Sequence, residues 1–226
     1  MLLFPKAWKT LHQSKYNRDM QFRTQELLQR GESLPADESS RNHAERSFPD
    51  DRASIEFFKR LKERLIDLTN WNHKSGLTAY EIFESSGEQS ADKILRAGGF
   101  VRITLFGSGK YDWVKIEDIF DSEDELVITV RPTYDPTTKP QQTGKVSHFF
   151  ISDSTNNFCA FRKGNTVYLY VIGLNEKQNT GHTSGPVETA RNAVVANLGY
   201  YLGIQKAEWS KFCQSFLYDG EEQTAG

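Results

Sequence analysis

Apolar residues recur at three- and four-residue spacing from Ile55 through Phe58, Leu61, Leu65 and Leu68, with Lys59, Arg60, Lys62, Glu63 and Arg64 between them. This is one buried stripe on an amphipathic helix, starting at Ser54 and ending near Asn70-Trp71-Asn72. From Thr78 the period shortens toward two. Thr78–Glu84, Phe100–Phe106, Tyr111–Ile119, Glu125–Arg131, Val146–Ile151, Asn157–Phe161 and Thr166–Ile172 all read as strands. Gly107-Ser-Gly-Lys, Asp121-Ser-Glu-Asp and Lys163-Gly-Asn are short polar connections suited to hairpin turns. Pro132, Pro136 and Pro140 impose an irregular loop between two of the strands.

A helical period returns at Pro186, which fits a first helical turn, with Glu188 near the exposed amides. Val187, Ala190, Val194, Val195, Leu198, Tyr201 and Leu202 form its apolar face, and Gly203 stops it. A shorter helix over 207–217 turns Trp209, Phe212, Cys213 and Phe216 inward. Residues 1–30 carry scattered apolar groups (Phe4, Trp8, Leu11, Phe22, Leu27, Leu28) and read as a helical extension closed by Gly31. Residues 31–53 hold few large apolar side chains and read as a polar linker or mobile loop.

The pattern defines an α+β domain over 54–218, with a frayed tail at 219–226. The expected architecture is a mainly antiparallel sheet, strongly bent or barrel-like, with about six to eight strands. Helices flank it, with a C-terminal helical pair and an N-terminal helical extension. The run Phe100-Val-Arg-Ile, Asp112-Trp-Val-Lys-Ile-Glu-Asp-Ile, Val127-Ile-Thr-Val-Arg resembles small SH3-like barrels, which string short strands on tight turns. The resemblance implies a barrel-like course and carries no activity.

Of the 226 residues, 26% are charged, and the net charge of −2 gives no electrostatic reason to expect nucleic acid. No run is long and apolar enough to span a bilayer, which points to a soluble, cytoplasmic protein. Two cysteines, Cys159 and Cys213, exclude a four-thiolate zinc site and read as buried thiols.

Candidate chemistry is thin. Gly107-Ser-Gly-Lys leads into a strand rather than a helix, so it reads as a turn and not a phosphate cradle. No Gly-x-Ser-x-Gly or His-Glu-x-x-His spacing occurs, and no metal or other cofactor is implied. The polar loop from Asn175 to Ser184 lies between a strand and a well-signalled helix, where binding residues are held at low entropic cost. It supplies Asn175, Glu176, Asn179 and His182 as candidate ligand-binding residues, joined by His148 and Arg131.

The leading expectation is therefore a non-enzymatic interaction or small-ligand-binding domain, of a kind that could serve regulation. The alternative is a small hydrolase or isomerase using His148, Glu176, His182 and Arg131, whose side chains would have to converge. A third reading is a nucleic-acid or sugar binder, stacking its ligand on Tyr111, Trp113, Tyr134, Tyr168 and Tyr170. Expected partners are a protein or small molecule, with residues 1–30 docking on the main domain or pairing two copies of the chain.

Overall fold

The computed structural model describes residues 22–74, 78–105, 111–138, 146, 148, 150–177 and 207–218. Its elements run α1 (Arg23–Glu32), β1 (Ser39–Ser47), α2 (Asp51–Ile66), α3 (Thr69–Lys74), β2 (Thr78–Phe83), β3 (Phe100–Leu105), β4 (Tyr111–Asp121), β5 (Glu125–Pro132), β6 (Thr155–Lys163) and β7 (Thr166–Leu174). A further helix, α4, is described over 207–218. The strands form one seven-stranded sheet in the order β1-β7-β6-β5-β4-β3-β2, and every neighbouring pair is antiparallel. The sheet is not closed: β1 and β2 lie at opposite edges. The α+β class and the mainly antiparallel sheet of seven strands match expectation, and the sheet is open rather than a closed barrel.

Strand alternation sorts the side chains onto two faces. The inner face presents Tyr80, Val101, Val114, Ile128, Phe158 and Leu169 to α2, α3 and α4, whose Phe58, Leu61, Leu65, Trp71, Phe212 and Phe216 complete one continuous core. The outer face carries two buried apolar clusters. Leu27 and Leu28 of α1 pack on Val127, Cys159, Ile172 and Leu174. At the other end Phe83, Phe100 and Trp113 form a separate cluster. A bulge between Ile116 and Asp118 on β4 shifts the register against β5. It turns Glu117 and Asp118 toward cationic partners, Arg131 and Arg23.

Several local readings are corrected. The segment over 31–53 is not a linker, because Ser39–Ser47 pairs residue by residue with β7 from Ser39↔Leu174 to Ser47↔Thr166. Only Asn42 and Ala44 of this strand are buried, so an edge strand needing few apolar groups resembles a linker in composition. The long helix is capped by Asp50, whose carboxylate accepts the Ala53 amide at 2.8 Å, and not by Ser54. Ser54 instead sits in the first turn and donates to Asp51 O and Gly164 O. The helix breaks at Asp67, and α3 follows with Trp71 in the core, its Nε1 donating to Leu65 O at 2.9 Å. Val146, His148 and Phe150 belong to none of the seven strands.

The turn at 107–110, the helix expected over 186–203, the tail from 219 and residues 1–21 lie outside the described residues. Among the described residues no helix is long and apolar enough to cross a membrane.

Candidate functional site

The inner core is not filled at its β2–β3–β4 end. There a cavity of about 80 Å³ opens between the sheet and the helices. On the same scale one water needs about 10–15 Å³, so the space admits a group of several heavy atoms. Its floor is the inner-facing row of the strands: Tyr80 on β2, Val101 and Ile103 on β3, Val114 on β4, Val130 on β5 and Phe158 on β6. Among the described residues its roof is Leu68 and Trp71 from the α2–α3 region, with Trp209 from α4.

The aromatic walls brace one another. Trp71 meets Tyr80 edge-on at 5.7 Å between ring centroids and lies 4.5 Å from Phe158. Trp209 meets Phe158 edge-on at 5.2 Å and Phe212 at 5.7 Å. Such edge-to-face contacts fix ring orientation as well as burying area, so the cavity is held open by rigid groups.

A few polar groups interrupt this apolar lining. Thr78 Oγ1 donates to Glu208 Oε2 at 2.7 Å, tying α4 to the edge strand. Asp112, His148 and Asn156 also line the cavity. The indole Nε1 of Trp209 is buried and has no hydrogen-bond partner, an unusual state for a group that desolvation penalises. His148 is buried, and its Nδ1 accepts the Phe150 amide at 2.9 Å. In the neutral imidazole this places the proton on Nε2.

A second, smaller recess of about 10 Å³ adjoins the first, sharing Val114, Val130, His148 and Asn156 and adding Glu176. The Glu176 side chain lies across β7 at Gly173, where a Cβ would overlap both its carboxyl and the Ser40 hydroxyl. Burial pushes the Glu176 carboxyl above the usual carboxylate range, partly opposed by its hydrogen bond with Ser40.

The six residues singled out in the sequence are therefore dispersed. His148 and Glu176 face the same recess. Asn175 takes φ 53°, a conformation Asn tolerates, and closes the chain against 153–154: its amide donates to Asp153 O at 3.3 Å, and its carbonyl accepts from Ser154 Oγ at 2.5 Å. Arg131 points to the outer face, paired with Glu117 at 2.9 Å and donating to Ser152 O. Asn179 and His182 lie outside the described residues. Thr78, Asp112, Glu208 and the paired aromatics were not legible as a site. Each occurs singly in the chain, and only the β2–β3–β4 pairing and the α4 crossing assemble them.

The strand aromatics also divide between faces. Trp113 is buried outside with Phe83, which meets it edge-on at 4.9 Å. Tyr168 and Tyr170 stack on Phe161 across β6–β7, and His43 stacks on Tyr170 at 5.0 Å. Arg102 of the outer face is paired with Glu81 at 2.6 Å, and Arg162 with Asp124 at 2.5 Å. Among the described residues no group of three or more His, Cys, Asp or Glu side chains is placed to hold a metal ion.

No protein-family model and no curated protein matches this chain. Solved structures with some likeness include a hypothetical protein of Helicobacter pylori, at 11% identity over 80% of this chain and 89% of that one, TM-score 0.49. A Thermus thermophilus protein follows at 12% identity, 78% and 94% coverage and TM-score 0.41. The major latex-like protein 151 of Panax ginseng has 13% identity, 76% and 98% coverage and TM-score 0.35.

Proposed function

We propose that the chain is a small-ligand-binding protein and that the cavity beneath Trp71 and Trp209 is its binding site. The observation that carries this reading is the unfilled, aromatic-braced space within an otherwise continuous core. Well-packed interiors leave few voids larger than a water, and an apolar cavity with a few convergent polar groups is the usual form of a ligand site. His148 and Glu176 are then wall residues of the adjoining recess, and the 175–177 segment is its rim.

The test is binding of ethylbenzene, followed by ligand-observed NMR. Saturable binding should disappear in Ile103→Trp, which fills the cavity from a half-buried position. Equal binding by that variant would place the ligand elsewhere and remove the proposal.

A second reading, acid–base catalysis, is favoured by one observation: His148 and a protonation-prone Glu176 share a recess. It requires turnover that His148→Gln abolishes while ethylbenzene still binds. Binding without turnover leaves the first reading.

A further inference from the structure

We propose that the exposed edge of β1 pairs with β1 of a second copy of this chain, antiparallel about a two-fold axis at His43, so that two sheets join into one. The inference is independent of the cavity. β1 spans Ser39–Ser47 and ends the described sheet. One step beyond it, the Phe48 amide donates to Asn165 O at 2.8 Å. Antiparallel pairing repeats every second residue, so Asn42, Ala44 and Arg46 turn their backbone groups to β7. The amides and carbonyls of Ser39, Arg41, His43, Glu45 and Ser47 then point away from the sheet. The Tyr218 hydroxyl agrees with that phase, because it donates to Glu45 O, which β7 leaves free.

The opposite edge is closed by its own chain. Residues 84–90 fold back on β2, with the Ser90 amide donating to Ile82 O at 2.9 Å and Phe83 bridged to Gln89. β1 has none of the devices that ordinarily blunt an edge. It is nine residues long, in unbroken register with β7, and contains no Pro, no Lys and no bulge. Arg41, His43 and Glu45 are exposed, and the Arg41–Glu32 contact, at 3.9 Å between half-exposed groups, holds Arg41 only loosely.

The order of side chains selects the occupant. Arg41 stands two residues before His43 and Glu45 two residues after it. In an antiparallel pair centred on His43, Arg41 lies opposite Glu45 of the second copy, Glu45 opposite its Arg41, and Ser39 opposite its Ser47. All are outward-facing positions, so each pair can exchange both backbone hydrogen bonds. Centring the pair on Arg41 or Glu45 sets like charges together, and centring it on Asn42 or Ala44 separates Arg from Glu. The rings agree with the same register. Tyr168 stacks on Phe161, Phe161 on Tyr170 and Tyr170 on His43 at 5.0 Å. With His43 beside its own copy on the same outer face, the two stacks meet. Only a β1 held straight by β7 presents this row, so the contact belongs to the finished fold and not to the nascent chain.

The experiment is sedimentation velocity on the full chain from micromolar concentration upward. A dimer with a micromolar dissociation constant, weakened by salt, is expected. Arg41→Glu and Glu45→Arg each set like charges in both pairs and should each weaken it about tenfold. Mixed in equal amounts, the two variants regain opposite charges in both pairs, and the heterodimer should form as tightly as the wild type. The double variant Arg41→Glu/Glu45→Arg should recover dimerisation within one chain. Because both residues are exposed, thermal melts should match the wild type.

A monomer throughout, or a dimer that both single variants leave unchanged, overturns the inference. So does a mixture no tighter than either variant alone, since the charges would then not meet across the contact. Ethylbenzene binding should be the same in all of these variants, so failure here leaves the cavity reading standing.

Discussion

Helix α1 begins at a residue that cannot cap it: Phe22 stands at the N-cap position and offers no side-chain acceptor. The cap comes instead from Glu125, a hundred residues away at the start of β5. Its Oε2 accepts the Arg23 amide at 3.0 Å, and its Oε1 accepts the Thr24 amide at 2.8 Å and the Thr24 hydroxyl at 2.7 Å. Glu125 and Thr24 are 3% and 0% exposed, so water does not share these bonds. Glu125→Ala strands two amides and a hydroxyl. At about 1–3 kcal/mol for each buried group left unpaired, softened by relaxation, the loss should be about 3–5 kcal/mol.

That cost has a ceiling, because α1 can leave the sheet. A helix of ten residues has little stability of its own, so the undocked segment would unfold. Two assays separate these outcomes. Urea unfolding reads the total loss, and thiol labelling under native conditions reads where the structure opens. Cys159 lies beneath α1 on the outer face, and Cys213 faces the inner core from α4; both are fully buried. Burial pushes both thiols up, Cys213 to about 12, so neither should label in the wild type. Glu125→Ala should expose Cys159 alone, identified by peptide mass. Glu125→Gln, which keeps an acceptor oxygen without the charge, should cost less, about 1–2 kcal/mol. A loss below about 1 kcal/mol in the alanine variant, with both thiols protected, would refute the reasoning.

Gly173→Ala should cost about 1–3 kcal/mol by forcing its methyl into the Glu176 carboxyl and Ser40 hydroxyl, and adding Glu176→Ala should recover part of that in urea unfolding. The raised Glu176 pKa makes its contribution to stability fully present below the ordinary carboxylate value near about 4.3, and lost as pH rises through the folded value. The wild-type melting temperature minus that of Glu176→Gln should therefore fall across that window, and a flat difference would show the carboxyl is not perturbed. Asp50→Ala should lower stability by about 1 kcal/mol in chemical unfolding through loss of the α2 cap, with Asp50→Ser restoring most of it.

What the sequence could show followed the strength of its periodicity. The stripe Phe58–Leu61–Leu65 and the alternation in β2 to β5 are repeated hydrophobic signals, and the elements they predict are present. Edge strand β1 was illegible, because one face packs only Asn42 and Ala44 while the other carries His43 and Glu45 to solvent. Its pairing depends on β7 and on no pattern within it. The helix α1 shows a related gap: its cap is in another element, so no local Ser, Thr or Asp marks its start. The cavity was half legible. Alternation assigns Tyr80, Val101, Val114 and Phe158 to inner positions, but whether those positions are filled depends on how α3 and α4 cross them, which no local period encodes. Glu208 and Asp112 read as ordinary surface acids for the same reason.

The strand order places β1 beside β7, so the first of the described strands pairs with the last of them, across more than a hundred residues. During synthesis β1 must wait, unpaired, until nearly the whole sheet has left the ribosome. Non-local pairing of this sort is slow and leaves exposed strand edges open to wrong partners. Ser-Ser-Arg-Asn-His-Ala-Glu-Arg-Ser is a strand that can wait: charged and hydroxylated, with one small apolar residue, it gives a neighbouring nascent chain little to adhere to. The composition that disguises β1 as a linker is thus what protects the growing chain, and apolar substitutions along it should show first as lower refolding yield rather than as lower stability of the finished protein.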